Sequence, residues 1–160
     1  MTMPKTVVLV LLTVLVLAFD LAVLLGVVAR SRGVESVVVP PASLIETIAA
    51  DADYSRAYRI PVSSQAFPSM ATLRRPRFAR RMQISGSGPS EIVYRGRLPA
   101  LQYHVAYSLD DVGGQRYLTV TTAIHYRHWL APLYGGGVRF VQWGLAPMAA
   151  SRLVERSSGS

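Results

Sequence analysis

Two of the chain's three histidines, His125 and His128, stand three residues apart in the stretch AIHYRHW, and the third is His104. Imidazole is suited both to metal ligation and to proton transfer near neutral pH. A metal needs ligands that converge, three or four of them for zinc. The HxxH spacing converges on a helix. On a strand, residues three apart face opposite sides. His125 then shares a face with Thr119, Thr121 and Ala123, while His128 follows Tyr126. The chain has no cysteine, and no well-placed carboxylate completes a ligand set. Neither a metal nor a cofactor is expected. His104 and His125 fall on neighbouring predicted strands and face outward together if those strands pair. Acid–base catalysis would use one of them in a pocket that tunes its pKa. Asp110 and Asp111 sit in a turn, where solvent exposure is expected.

These residues need strands to position them, and the alternation supplies three. They are Glu91–Leu98, Ala100–Asp110 and Arg116–Trp129, the last two joined by DDVGGQ, a hairpin-turn composition. Period-two spacing puts Leu101, Tyr103, Val105, Tyr107 and Leu109 on one face, and Leu118, Val120, Thr122, Ile124 and Tyr126 on one face of the next strand. Tyr94, Tyr103, Tyr107 and Tyr126 either line a cavity or pack with their hydroxyls at the sheet rim. Tyr54–Val62 reads as an edge strand, because Pro61 cannot donate to a ladder. SGSGPS (Ser85–Ser90) reads as a turn. Ser43 with Glu46 three residues later is a capping-box pattern that predicts a short helix over Leu44–Ala50. Leu130, Leu133, Tyr134, Val138, Val141, Leu145, Met148 and Leu153 recur at helical spacing and predict a long C-terminal helix. Gly135–Gly137 weaken it and Pro147 kinks it.

Residues 1–29 carry only Lys5 and Asp20 as charges, so the net charge of +8 lies beyond them. Thr6–Ala29 is long enough as a helix to span the roughly 30 Å hydrocarbon core, and its apolar run exceeds that of a signal peptide. Asp20 would cost about 2.5–3.5 kcal/mol at that depth. Arg30 and Arg32 outweigh Lys5, so the positive-inside rule places the C-terminal part in the cytoplasm, on the inner face of the plasma membrane. Arg74, Arg75, Arg77, Arg80 and Arg81 form the densest positive run. Near a bilayer they would contact anionic headgroups; elsewhere they form an exposed charged loop. No feature favours a nucleic-acid partner.

YRGRLPALQYHVAYSLDD, followed by LTVTTAIHYRHWLAPLYGGGVRF, resembles the SRPBCC (START/polyketide-cyclase-like, helix-grip) superfamily, as does ADYSRAYRIPV. The resemblance covers about Asp51–Arg156 and carries no catalytic signature. It implies an apolar cavity between a curved sheet and a helix. The strands number four or five, fewer than a complete helix-grip sheet. The expected architecture is α+β. A transmembrane helix (6–29) leads through a linker with a short helix (30–50) to a small antiparallel sheet packed against the long C-terminal helix (51–157). The expected function is binding of a hydrophobic ligand or lipid, with Tyr103, Tyr107, Thr122, Tyr126, His104 and His125 at the site. The alternatives are a cyclase- or hydrolase-like enzyme using His104 or His125, and an assembly protein associating through Asp20 and its helix.

Overall fold

The computed structural model describes residues 33–65, 67–73, 81–127 and 151–155, with helical positions at 13, 14, 16–21, 23, 24 and 28. Its centre is a sheet of six antiparallel strands. In chain order the elements are β1 (Glu35–Val37), α1 (Glu46–Ala50), β2 (Tyr54–Val62), a 3-10 turn (Met70–Thr72), β3 (Gln83–Ser87), β4 (Glu91–Arg97), β5 (Leu101–Val112) and β6 (Gln115–Tyr126). The spatial order is β1-β2-β6-β5-β4-β3. The two longest strands, β5 and β6, lie at the middle and pair over their full lengths. Gly113 and Gly114 join them with φ of 59° and 81°. A two-residue hairpin loop takes up positive φ at both positions, and glycine does so without steric cost.

The sheet is buried on both faces. On one face Tyr58, Ile60 and Val62 of β2, Tyr94 of β4, Val105 and Tyr107 of β5, and Leu118 and Val120 of β6 form a single cluster. Its cover comes from dispersed segments: Val34, Phe67, Met70, Met82 and Leu153, with Val28, Leu73 and Val154 at the margin. On the other face Val93, Ala106 and Ala123 lie beneath Ile45 and Ala49. Alanine at two of those three sheet positions lets the helix backbone come close.

Several expectations are corrected. Among the described residues there are six strands rather than four or five. β2 is not an edge: it lies between β1 and β6. Pro61 is tolerated because β1 reaches only Ala57–Arg59 of β2. Ser85–Ser87 belong to β3, and the turn begins after them. The capping box is replaced by a different arrangement. Ser43 Oγ donates to Pro40 O, the Ala42 N–H donates to Glu46 Oε2, and the start of α1 is held by Glu91 of β4, as described below.

The expected α+β layout, a membrane-spanning helix before the sheet and a long C-terminal helix upon it, is also overturned. Among the described residues no helix is long and apolar enough to cross a membrane. Val28, near the end of the stretch read as lipid-facing, packs against the core of the sheet. The other large apolar residues described in that run, Val14, Val16, Leu17, Phe19, Leu21 and Leu24, are exposed. Asp20 is exposed on its helical stretch. At the other end, helix is described only at 151–155, where Leu153 and Val154 meet the core. The apolar spacing that predicted one long helix runs through three glycines and a proline, the residues least favourable to helix. Residues 128–150, with His128 and most of that apolar series, lie outside the described residues. So do Lys5, Arg30, Arg32, Arg74, Arg75, Arg77 and Arg80.

Candidate functional site

The sequence-predicted site residues divide between the two faces of the sheet. Tyr103, Tyr107, Thr122 and Tyr126 lie on the face covered by the dispersed segments. His104 and His125 lie on the face covered by α1.

On the first face, β5 and β6 pair Tyr103 with Ile124, Val105 with Thr122 and Tyr107 with Val120. The Tyr94 and Tyr107 rings meet edge to face, their centroids 6.0 Å apart. Burial, and then the neighbouring Tyr94, push the Tyr107 hydroxyl far above its ordinary pKa of 10.0. Tyr107 is therefore a neutral phenol at any physiological pH. Thr122 is buried, and Tyr103 and Tyr126 are half-buried toward one end of the face. The Tyr126 hydroxyl is itself buried and has no hydrogen-bond partner among the described residues. The Tyr126 backbone N–H is held at 2.7 Å by the carboxylate of Asp53, so the end of β6 is fixed in place. This face offers aromatic and aliphatic surface, with the Tyr126 hydroxyl at one end of it.

The second face has a polar corner. Arg95 on β4 pairs directly with His104 on β5, and Gln102 on β5 pairs directly with His125 on β6. The two imidazoles stand edge to face with centroids 5.8 Å apart. Gln102 Nε2 lies 2.9 Å from His104 Nε2, while His104 Nδ1 is buried and without a partner among the described residues. Burial lowers the His104 pKa below its ordinary 6.5, and His125 and Arg95 lower it further. His104 is thus the neutral form at neutral pH. With the amide as placed, Gln102 donates to Nε2 and the ring proton sits on Nδ1. Arg95 also donates to Gln83 Oε1 at 3.1 Å.

Gln102 and Arg95 were not anticipated as members of this corner. The signal for them is the β4–β5 turn. Reciprocal hydrogen bonds between Leu98 and Leu101 close a loop of two residues, Pro99 and Ala100. That closure fixes the register that sets Arg95 against His104. Asp110 and Asp111, read together as exposed turn residues, have separate roles. Asp110 accepts from Ser108 and Thr119 on the α1 side of the sheet. Asp111 is exposed and holds Arg116 through two bonds of 2.9 and 2.8 Å. The same guanidinium donates to the carbonyls of Phe67 and Pro68, tying the loop after β2 to the hairpin. Arg81, the described member of the basic run, is exposed just before β3. No group of three or more His, Cys, Asp or Glu side chains that could hold a metal occurs among the described residues.

No family model matches the sequence, and no curated protein matches it. Among solved structures the chain is similar to CalU16 from Micromonospora echinospora, with 12% identity and a TM-score of 0.33, over 65% of this chain and 83% of that one. It is also similar to TTHA0849 from Thermus thermophilus, with 9% identity and a TM-score of 0.36, over 66% of this chain and 98% of that one. At such identities and TM-scores the likeness fixes neither a family nor a function for this chain.

Proposed function

We propose that the protein binds a hydrophobic small molecule against the tyrosine-rich face of its sheet. The observation that carries this reading is the Tyr126 hydroxyl, buried and without a partner among the described residues, beside aromatic and aliphatic surface. An unanswered buried hydroxyl costs about 1–3 kcal/mol. A ligand with an apolar body and one hydrogen-bonding atom would meet both the surface and the hydroxyl. The neutral, deeply buried Tyr107 supports the same reading, since it adds aromatic surface without charge. Binding sites of this kind are mostly apolar, with few polar groups that fix orientation.

The test is a fluorescence titration of the full chain with N-phenyl-1-naphthylamine, an apolar probe, alongside mass spectrometry of small molecules that co-purify. A saturable rise in fluorescence is expected. Thr122→Trp, which fills the face beside Val105, should abolish it while circular dichroism keeps its strand signature. Tyr126→Phe should retain the probe, which has little use for the hydroxyl, and should weaken a co-purified ligand that bonds to it. Absence of a saturable response in the parent chain would sink the proposal.

A further inference from the structure

The polar corner under α1 is a second place where the chain is built to meet a ligand. It lies on the opposite side of the sheet from the tyrosine face, so neither proposal depends on the other. Its members are brought together by strand register alone: Arg95 beside His104, Gln102 beside His125, and the two imidazoles 5.8 Å apart. Three features define its chemistry. Every side chain in it can donate a hydrogen bond, and none is a carboxylate. Arg95 keeps a permanent positive charge against His104. The buried Nδ1 of His104 has no partner among the described residues.

We propose that this corner is an oxyanion site, taking a phosphate-type or carboxylate group between Arg95, Gln102 and His125, with His104 protonating at Nε2 as the anion arrives and the Gln102 amide turning its oxygen to accept that proton. Arg95, His125 and Gln102 are half-exposed and open to solvent, while His104 lies behind them, buried. An incoming anion therefore meets the first three directly. Its charge then favours the imidazolium form of His104, the reverse of what Arg95 does alone. A divalent cation fits the same corner poorly. It would face the Arg95 guanidinium, and no carboxylate is present to offset its charge. The acidic residues of the covering segment, Glu46, Asp51 and Asp53, are exposed, and Asp53 is engaged by the Tyr126 N–H.

Ring-proton NMR of His104 and His125 in the full chain tests this, with titrations from about pH 8 to about pH 5, across the range where imidazole changes charge. Sulfate is the probe for a phosphate-type group and acetate the probe for a carboxylate, each compared with chloride at equal ionic strength. A saturable rise of about one unit in the titration midpoints, tenfold in proton affinity, is expected in at least one arm. The arm with the larger rise names the class. Arg95→Gln should weaken that response about tenfold, the loss of one charge-assisted bond. Arg59→Gln should leave it unchanged, because Arg59 lies on the same face but pairs with Glu35 and stacks on Tyr117. If Arg95→Gln fails to fold, His125→Gln carries the same comparison. Equal midpoints in sulfate, acetate and chloride would overturn the proposal. So would saturable perturbation of both rings by zinc with none by either oxyanion.

Discussion

Gly96 has no side chain because Tyr103 occupies the place where one would go. A Cβ built on Gly96 falls 2.2 Å from Tyr103 Cζ and 2.5 Å from its hydroxyl oxygen. The two residues are direct partners across β4 and β5, so the phenol ring lies over the bare backbone of its neighbour. Gly96→Ala should therefore force the ring off the strand, at about 1–3 kcal/mol, the usual range for overpacking. In a Tyr103→Ala background the same substitution should cost little, and urea unfolding of the four variants would measure the coupling. Equal costs in both backgrounds would show that the ring is not what Gly96 accommodates. Alternation in the sequence put Tyr103 on the correct face. It did not reveal the ring lying on Gly96, because that contact depends on strand register, and register was set by a loop of two residues with no glycine to announce it. His104 and His125 were readable as a pair because each alternates with its own strand's apolar series, Tyr103, Val105 and Tyr107 on β5 and Val120, Thr122 and Ile124 on β6, and burying both series on one face puts both histidines on the other.

At the scale of elements, α1 is the instructive case. A helix of five residues lies far below the length at which helices are stable alone, so it persists through what it touches. Ile45 and Ala49 bury against Val93, Ala106 and Ala123. The start of the helix is held from outside: Glu91 of β4, itself buried, accepts from the Leu44 N–H at 2.6 Å and the Ile45 N–H at 3.3 Å. The sequence pointed to Ser43 and Glu46 because a capping box is local and visible within four residues. The group that replaces it stands 47 positions away and cannot be found from local pattern. Glu91→Ala leaves two helix-start donors unanswered, at about 1–3 kcal/mol each where burial persists. Hydrogen exchange should accelerate at the Ala49 amide, which donates to Ile45 O, well before it does in β5. Glu91→Gln keeps an acceptor and should fall between. Unchanged exchange at Ala49 in Glu91→Ala would show that burial alone holds α1. The strands that escaped sequence reading have a related cause. β1 has three residues, and β3 is almost wholly exposed, with a register shift between Ile84 and Gly86. Neither carries an alternating apolar series. Short, irregular and polar strands at the two edges of a sheet protect it from pairing with another chain, and the same properties hide them from pattern. β2, β4, β5 and β6 carry the series that buries the core, and they were legible with small errors at their ends.

At the scale of the whole molecule, His104 on one face of the sheet and Tyr107 on the other are buried rings whose pKa values are displaced, and the two narrow the pH range of stability from opposite sides. His104 has a folded pKa below 6.5, with burial as the first cause. As pH falls below that value, the unfolded chain takes up a proton that the folded chain refuses, so stability declines until pH reaches the folded pKa. Tyr107 has a folded pKa raised well above 10.0, again through burial first. As pH rises past 10.0, the unfolded chain releases a proton that the folded chain keeps, and stability declines again. The fold should be most resistant to urea between these limits. His104→Gln should flatten the decline that begins just below pH 6.5, and leave the alkaline decline in place. Tyr107→Phe should do the converse. The acid effect is separable from that of Asp111, which is held low by Arg116 and responds only below its ordinary 3.8. Urea midpoints of the three chains across pH would measure both effects. A parent-like acid slope in His104→Gln would mean that the polar corner does not carry the proton linkage, and a parent-like alkaline slope in Tyr107→Phe would say the same of the tyrosine face.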